Sequence, residues 1–270
     1  MSGMDALRSD AAKLLRDGAV KMVVGYRARG DQRVPAFLTD PDKADALTYD
    51  ADCKQNLSAY LRKPEVRRHL PLAIVAPPNV CRSLVLLAAE SQLIDGEVKV
   101  LAVGNGQYHG VLDVAGVAAL LKEKYPDLAP SEELVRKIGE LAAMSPERRG
   151  AFWMEQFEKC TRCYACRAAC PGCYCTRCIV EKNVPQWIST AAAPHGNYAW
   201  NIIRAFHLAG RCTLCGACEA ACPQGLPLML LNVRVAQDVE EEFGAKAGYD
   251  PAAKPVIGSW SPDDDDEYMR

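Results

Sequence analysis

Apolar positions lay out the first half of the chain as helices alternating with short buried runs. Leu7, Ala11, Leu14 and Leu15 share one face of an amphipathic helix that Gly18 ends. Ala19 to Arg27 (AVKMVVGYR) is β-rich, and Val34 to Leu38 can pair with it across the polar Arg29-Gly30-Asp31-Gln32 turn. Thr39-Asp40-Pro41-Asp42 reads as a helix start, with a capping side chain and a proline in the first turn. Pro71 to Pro77 (PLAIVAP) and Val98 to Val103 (VKVLAV) are continuous apolar runs, the mark of strands buried on both faces. Helical periodicity from Val80 to Leu93 joins them into a β-α-β unit, hence a parallel sheet. Helices near Val111 to Lys124 and Ser131 to Met144 are expected to cover it.

The second half carries only helical patterns. Ser145-Pro146-Glu147 caps a helix that runs through Phe152, Trp153 and Phe157 to Cys160. Tyr198 to Leu208 is a helix ended by Gly210, and Leu226 to Phe243 one ended by Gly244. The fold expected is therefore an α/β N-terminal domain with a small, mainly parallel sheet over residues 1–144. A helical domain follows over 145–245, then an extended acidic tail over 246–270. Within that tail, Asp263 to Tyr268 (DDDDEY) is a like-charge run expected to be solvated and mobile, or to dock on a basic partner surface.

Two motifs carry the chemistry. Cys160-Thr-Arg-Cys163-Tyr-Ala-Cys166-Arg-Ala-Ala-Cys170-Pro171 and Cys212-Thr-Leu-Cys215-Gly-Ala-Cys218-Glu-Ala-Ala-Cys222-Pro223 both read C-x2-C-x2-C-x3-C-P, the run that builds cubane iron–sulfur clusters. Three thiolates two residues apart wrap one cluster, and the fourth, followed by proline, leaves towards the neighbouring one. On that logic Cys160, Cys163, Cys166 and Cys222 hold one [4Fe–4S] cluster, and Cys212, Cys215, Cys218 and Cys170 hold the other. A zinc ribbon closes with four ligands and has no use for the third cysteine and trailing proline twice over. The spacer from Pro171 to Arg211 is longer than a compact bacterial ferredoxin spends, and part of it, Tyr198 to Leu208, is helical, so the 145–245 domain is expected to be a helical, ferredoxin-like dicluster domain.

Composition narrows the class without changing this picture. The chain has 270 residues, 49% apolar and 24% charged, and its net charge of −2 argues against non-specific nucleic-acid binding. No apolar run is long enough for a membrane span, and the first residues lack a secretion-signal pattern. Thirteen cysteines without such a signal point to metal in a reducing, cytoplasmic setting.

Five cysteines remain: Cys53, Cys81, Cys173, Cys175 and Cys178. The last three are close enough in sequence to serve a third metal centre, with Cys53 or Cys81 as a fourth ligand; packed thiols are the alternative. Arg162, Arg167, Arg177 and Arg211 stand beside cluster cysteines, where cations would raise a cluster's potential, or they pair with acids. Gly104-Asn-Gly106-Gln-Tyr-His-Gly110 lies where a nucleotide loop would sit, but its spacing misses the dinucleotide fingerprint and a plain turn is expected. His109, His195 and His207 show no nucleophile arrangement, and His207 is expected to pack beside the second cluster.

The runs KCTRCYACRAACPGCYCTRCIVEKNVPQWI, RAFHLAGRCTLCGACEAACPQGLPL and GYRARG…PAFLTDPDKADALTYDADCKQNLSAYL resemble iron–sulfur electron-transfer subunits. These are the proteins described as formate dehydrogenase or deazaflavin-reducing hydrogenase beta subunits, found with heterodisulfide-reductase-like complexes in anaerobes. The resemblance spans about residues 20 to 235. It implies a relay that passes electrons between a flavoprotein or dehydrogenase partner and another redox subunit, with the eight motif cysteines as ligands. The chain departs from its relatives at Asn79 and Asn105, where they carry cysteines after the two buried strands. That departure argues against a redox or substrate site in the α/β domain. Two other readings are a flavin-dependent oxidoreductase whose α/β domain binds the flavin, and a zinc-stabilised binding module.

Overall fold

The structure, a computed structural model, describes residues 3–128 and 130–257. The acidic run from Asp263 to Tyr268 lies outside the described residues. Helix α1 (Gly3–Arg16) buries Leu7, Ala11 and Ala12, and the chain leaves it through Gly18 at a φ of 67°. Strands β1 (Met22–Arg29) and β2 (Gln32–Leu38) form the expected hairpin, in register from Val23 opposite Leu38 to Arg29 opposite Gln32. A 3-10 turn over Pro41–Ala46, capped by Asp40, leads to the two-residue strand β3 (Leu47–Thr48) on β1.

A second 3-10 turn, Leu57–Arg62, and the short helix α2 (Pro64–Arg67) precede β4 (Leu72–Ala76), which is buried along its whole length. Helix α3 (Pro78–Ala89) then returns the chain to β5 (Val98–Gly104), parallel to β4 with Leu72 opposite Val98. The sheet order is β2-β1-β4-β5-β6, with β3 beside β1. Only the β1–β4 and β4–β5 pairings are parallel, so the sheet is mixed rather than mainly parallel. The cause lies at Asn105-Gly106, both in the left-handed region with φ of 50° and 72°. That dipeptide makes a two-residue hairpin turn. It reverses the chain into β6 (Gln107–Leu112), and helix α4 (Val114–Lys124) begins only after the Asp113 cap. The Gly104–Gly110 run is thus a hairpin, not a nucleotide loop.

Helix α5 (Glu132–Ala142), expected over the sheet, packs elsewhere. Its Ile138 and Leu141 join Phe157, Leu226, Leu228 and Val233 in a second core, with helices α6 (Pro146–Glu158) and α10 (Leu228–Phe243). Between α6 and α10 come α7 (Ala165–Ala169), α8 (Pro194–His207) and α9 (Ala217–Ala220). A third, smaller core of Val180, Ile188 and Trp200 packs against Cys160, Cys166 and Cys178.

The described part of the expected tail is tied to the α/β core. The Arg82 guanidinium donates to the Ala247 carbonyl at 3.2 and 2.8 Å and lies 4.7 Å from the Tyr249 ring centre. The Tyr249 hydroxyl donates to the Tyr125 carbonyl at 3.2 Å. Gly248 has a φ of 80°, and a Cβ there would meet the Arg82 carbonyl oxygen at 2.4 Å, so only glycine fits this crossing.

Candidate metal centre

The two cysteine motifs fold into matching loops. In the first, Arg162 and Tyr164 adopt left-handed φ values of 56° and 59°; in the second, the corresponding Leu214 and Gly216 sit at 57° and 72°. Three of these four are not glycine, and such backbone costs roughly 1–3 kcal/mol per residue unless its surroundings impose it. Alternation of this kind turns successive amides towards one side, making a concavity for negative charge. Each loop runs into one turn of helix, α7 or α9, and the two helices pack on each other.

The structure brings Cys170, the last cysteine of the first motif, among those of the second. It lies close enough to Cys212, Cys215 and Cys218 to raise the pKa of each. Cys160, Cys166 and Cys222 each pack against the second core, which also holds Cys218, and Cys163 is exposed. Burial pushes the Cys166 and Cys218 thiols up to about 11 and Cys212 higher still. Apart from metal these thiols stay protonated, so loading must expel protons.

Helix α8 supplies what the cysteines face. Its inward side is polar: Asn197 donates to the Cys160 carbonyl at 2.7 Å, and Arg204 to the Cys166 carbonyl at 3.3 Å. Arg204 is only 5% exposed. Burial would lower its pKa, but Cys218, Cys170, Cys173 and Cys166 around it reverse that and hold it protonated. Its Nε has no hydrogen-bond partner. A buried cation with an idle donor among thiols from both motifs fits anionic clusters at this place. From α10, Asn232 Nδ2 donates to Cys218 Sγ at 3.4 Å.

A buried network bolts the second motif to the α/β half. Asn56 donates to Ser83 Oγ at 2.8 Å, Ser83 and Thr213 hydroxyls lie 3.0 Å apart, and Ser83 donates to the Asn79 carbonyl at 3.0 Å. Asn56 also hydrogen-bonds Cys215. Asn79 therefore has a structural task, its Oδ1 accepting from the Val80 amide at 2.9 Å, while Asn105 is exposed in its turn.

The remaining expected residues divide. Cys173, Cys175 and Cys178 line one cavity of about 370 Å³ with Arg204, His207 and Arg211. Cys53 and Cys81 are not brought to it. Both are in the α/β core, Cys81 donating to the Ala76 carbonyl at 3.3 Å and Cys53 lying 3.8 Å from Asp50. Burial raises them to about 12 and about 11 respectively. Among the described residues no three His, Cys, Asp or Glu side chains are spaced for a single metal ion. Arg167 pairs with Glu181 at 2.8 Å, Arg211 makes a two-pronged pair with Glu90, and Arg162 donates to the Gly196 carbonyl at 2.7 Å. Arg177 is exposed. His207 is exposed on the last turn of α8 instead of packing beside the second motif, His109 is held by the Tyr125 hydroxyl at 2.9 Å, and His195 is exposed. The cation that does face the cysteines, Arg204, stands outside both motifs in sequence. Arg204 had a signal: Asn197, Asn201 and Arg204 recur at helical spacing on one side of α8.

Residues 159–227 match the family described as a 4Fe-4S dicluster domain. The matched span contains both cysteine motifs. The chain is also 31% identical over 105 residues to the F420-dependent formate dehydrogenase beta subunit of Methanocaldococcus jannaschii, covering 39% of this chain and 27% of that protein. A similar match, 31% over 110 residues, joins it to the F420-dependent formate dehydrogenase 1 beta subunit of Methanococcus maripaludis, covering 41% and 28%. The chain thus aligns with little more than a quarter of the length of either relative. The family match, with the cysteine motifs it contains, supports iron–sulfur clusters. No helix among the described residues is long and apolar enough to cross a membrane.

Proposed function

We propose that this chain is a relay subunit of a formate-dehydrogenase-like oxidoreductase, holding two [4Fe–4S] clusters with crossed ligation. The observation that carries the reading is the position of Cys170 among Cys212, Cys215 and Cys218, beside a buried Arg204 that faces both sets. Cys160, Cys163, Cys166 and Cys222 would hold the first cluster; Cys212, Cys215, Cys218 and Cys170 the second. Such clusters supply one-electron storage, with a potential set by charge, burial and hydrogen bonds to sulfur. Arg204 would favour the more negative, reduced state, and Asn232 would aid it through its bond to Cys218. The partner on one side would be a flavoprotein or dehydrogenase subunit, by likeness to relatives named as F420-dependent formate dehydrogenase subunits. On the other side it would be a second redox subunit, of dehydrogenase, hydrogenase or heterodisulfide-reductase-like type.

Iron and acid-labile sulfide in anaerobically purified protein are expected at about eight of each per chain. Four or fewer irons, or zinc in their place, would remove the two-cluster relay.

A further inference from the structure

The segment after the first motif is built as a rigid turn with an apolar tip. Asn183, buried, is its clamp: Nδ2 donates to the Val180 carbonyl, and Oδ1 accepts from the amides of Trp187 and Ile188 at 2.9 and 3.1 Å. The feet of the turn, Val180 and Ile188, pack with Trp200 against Cys160 and Cys166. With the ends fixed so close to the first motif, three apolar side chains in and beside the turn remain exposed. Ile179 is 60% exposed, Val184 89% and Trp187 62%. A held loop that displays a tryptophan has the make-up of a binding hot spot.

Charge says what covers it. From Cys160 to Cys218 the sequence holds one acidic residue, Glu181, against Arg162, Arg167, Arg177, Lys182, Arg204 and Arg211. Glu181 is engaged by Arg167 at 2.8 Å. Arg177 and Lys182, flanking the exposed tip, face solvent. The patch is therefore apolar at its centre and cationic at its rim, on a chain whose net charge is −2.

We propose, on the strength of the relay reading, that the 179–188 turn is the docking surface for a small, acidic, one-electron carrier protein. Charge then enters or leaves through the first motif, against which the feet of the turn are packed. The rim cations steer the encounter, and Trp187 with Val184 and Ile179 holds the pair together.

An acidic flavodoxin serves as the probe, because its flavin reports separately from iron. Its anionic hydroquinone becomes the neutral semiquinone by losing one electron, which the oxidised, fully loaded chain takes up. In stopped flow the second-order rate should fall with rising salt. It should drop at least ~tenfold in Trp187→Ala and in the Arg177→Glu, Lys182→Glu double variant, the latter losing its salt dependence. Reduction of the same variants by titanium(III) citrate should keep the wild-type rate. Unchanged flavodoxin rates at full iron content would overturn the docking surface while leaving the relay intact. Equal losses with titanium(III) citrate would overturn it too, since the turn would then be acting on the cluster rather than on the carrier. A chain without iron would instead sink the relay itself, and the docking surface with it.

Discussion

At the scale of single residues, Arg204 concentrates the electrostatics of the site. It is buried, protonated, and faces thiols of both motifs, while the arginines nearest the cysteines in sequence have other partners: Arg167 an acid, Arg211 an acid, Arg162 a carbonyl. Replacing it with leucine should lower the potential of both clusters in an EPR redox titration, by roughly 60 mV for each ~1.4 kcal/mol of lost stabilisation. Arg204→Lys should retain most of the wild-type value, and potentials unmoved by the leucine variant at full iron content would deny it the role. Adjacency in sequence is a poor guide here, because a loop this tight throws neighbouring side chains outward. The cation that faces in comes instead from α8, where Arg204 lies 38 residues from the Cys166 whose carbonyl it holds. Buried Cys81 gives a separate test on pH. Its thiol is raised from 9.0 to about 12 in the fold, so its contribution to stability is present below about 9 and lost as pH rises towards 12. Denaturation midpoints should therefore fall less steeply above pH ~9 in Cys81→Ala than in the parent.

At the scale of elements, the buried strands, the capped helices and the two cysteine loops were legible because each carries its own local signal. Ser145-Pro146 starts α6, and Gly244 ends α10 at a φ of 63°. The turn at Asn105-Gly106 was legible as well, but the strand that follows it was not, because Gln107 to Leu112 has His109 and Gly110 where an apolar alternation would mark one. The packing of α5 could not be read locally, since an amphipathic helix does not say which core receives its apolar stripe. Nor could the Asn56–Ser83–Thr213 network, whose members are polar residues scattered over three elements and buried only by the fold. That network predicts a specific fragility. Thr213→Val keeps the shape but removes one of the three hydrogen bonds at Ser83, and should cost about 0.5–1.5 kcal/mol in denaturant titrations of the loaded chain. Iron release to a chelator should quicken from the second cluster first; equal release from both would mean that the network merely supports the fold.

At the scale of the whole molecule, the sheet and the helices that follow the cysteine loops are joined through the second motif and through the 246–257 segment held by Arg82. The α/β half thus acts as a seat for one cysteine loop, while the other loop carries the exposed turn that a carrier can reach. The central claim is that the two motifs exchange their last cysteines. It is tested most directly by comparing EPR spectra of four reduced single variants: Cys163→Ala, Cys222→Ala, Cys215→Ala and Cys170→Ala. The account predicts that Cys222→Ala loses the same cluster signal as Cys163→Ala, and Cys170→Ala the same as Cys215→Ala. Loss of the Cys215 signal in Cys222→Ala, with the Cys163 signal kept, would contradict it.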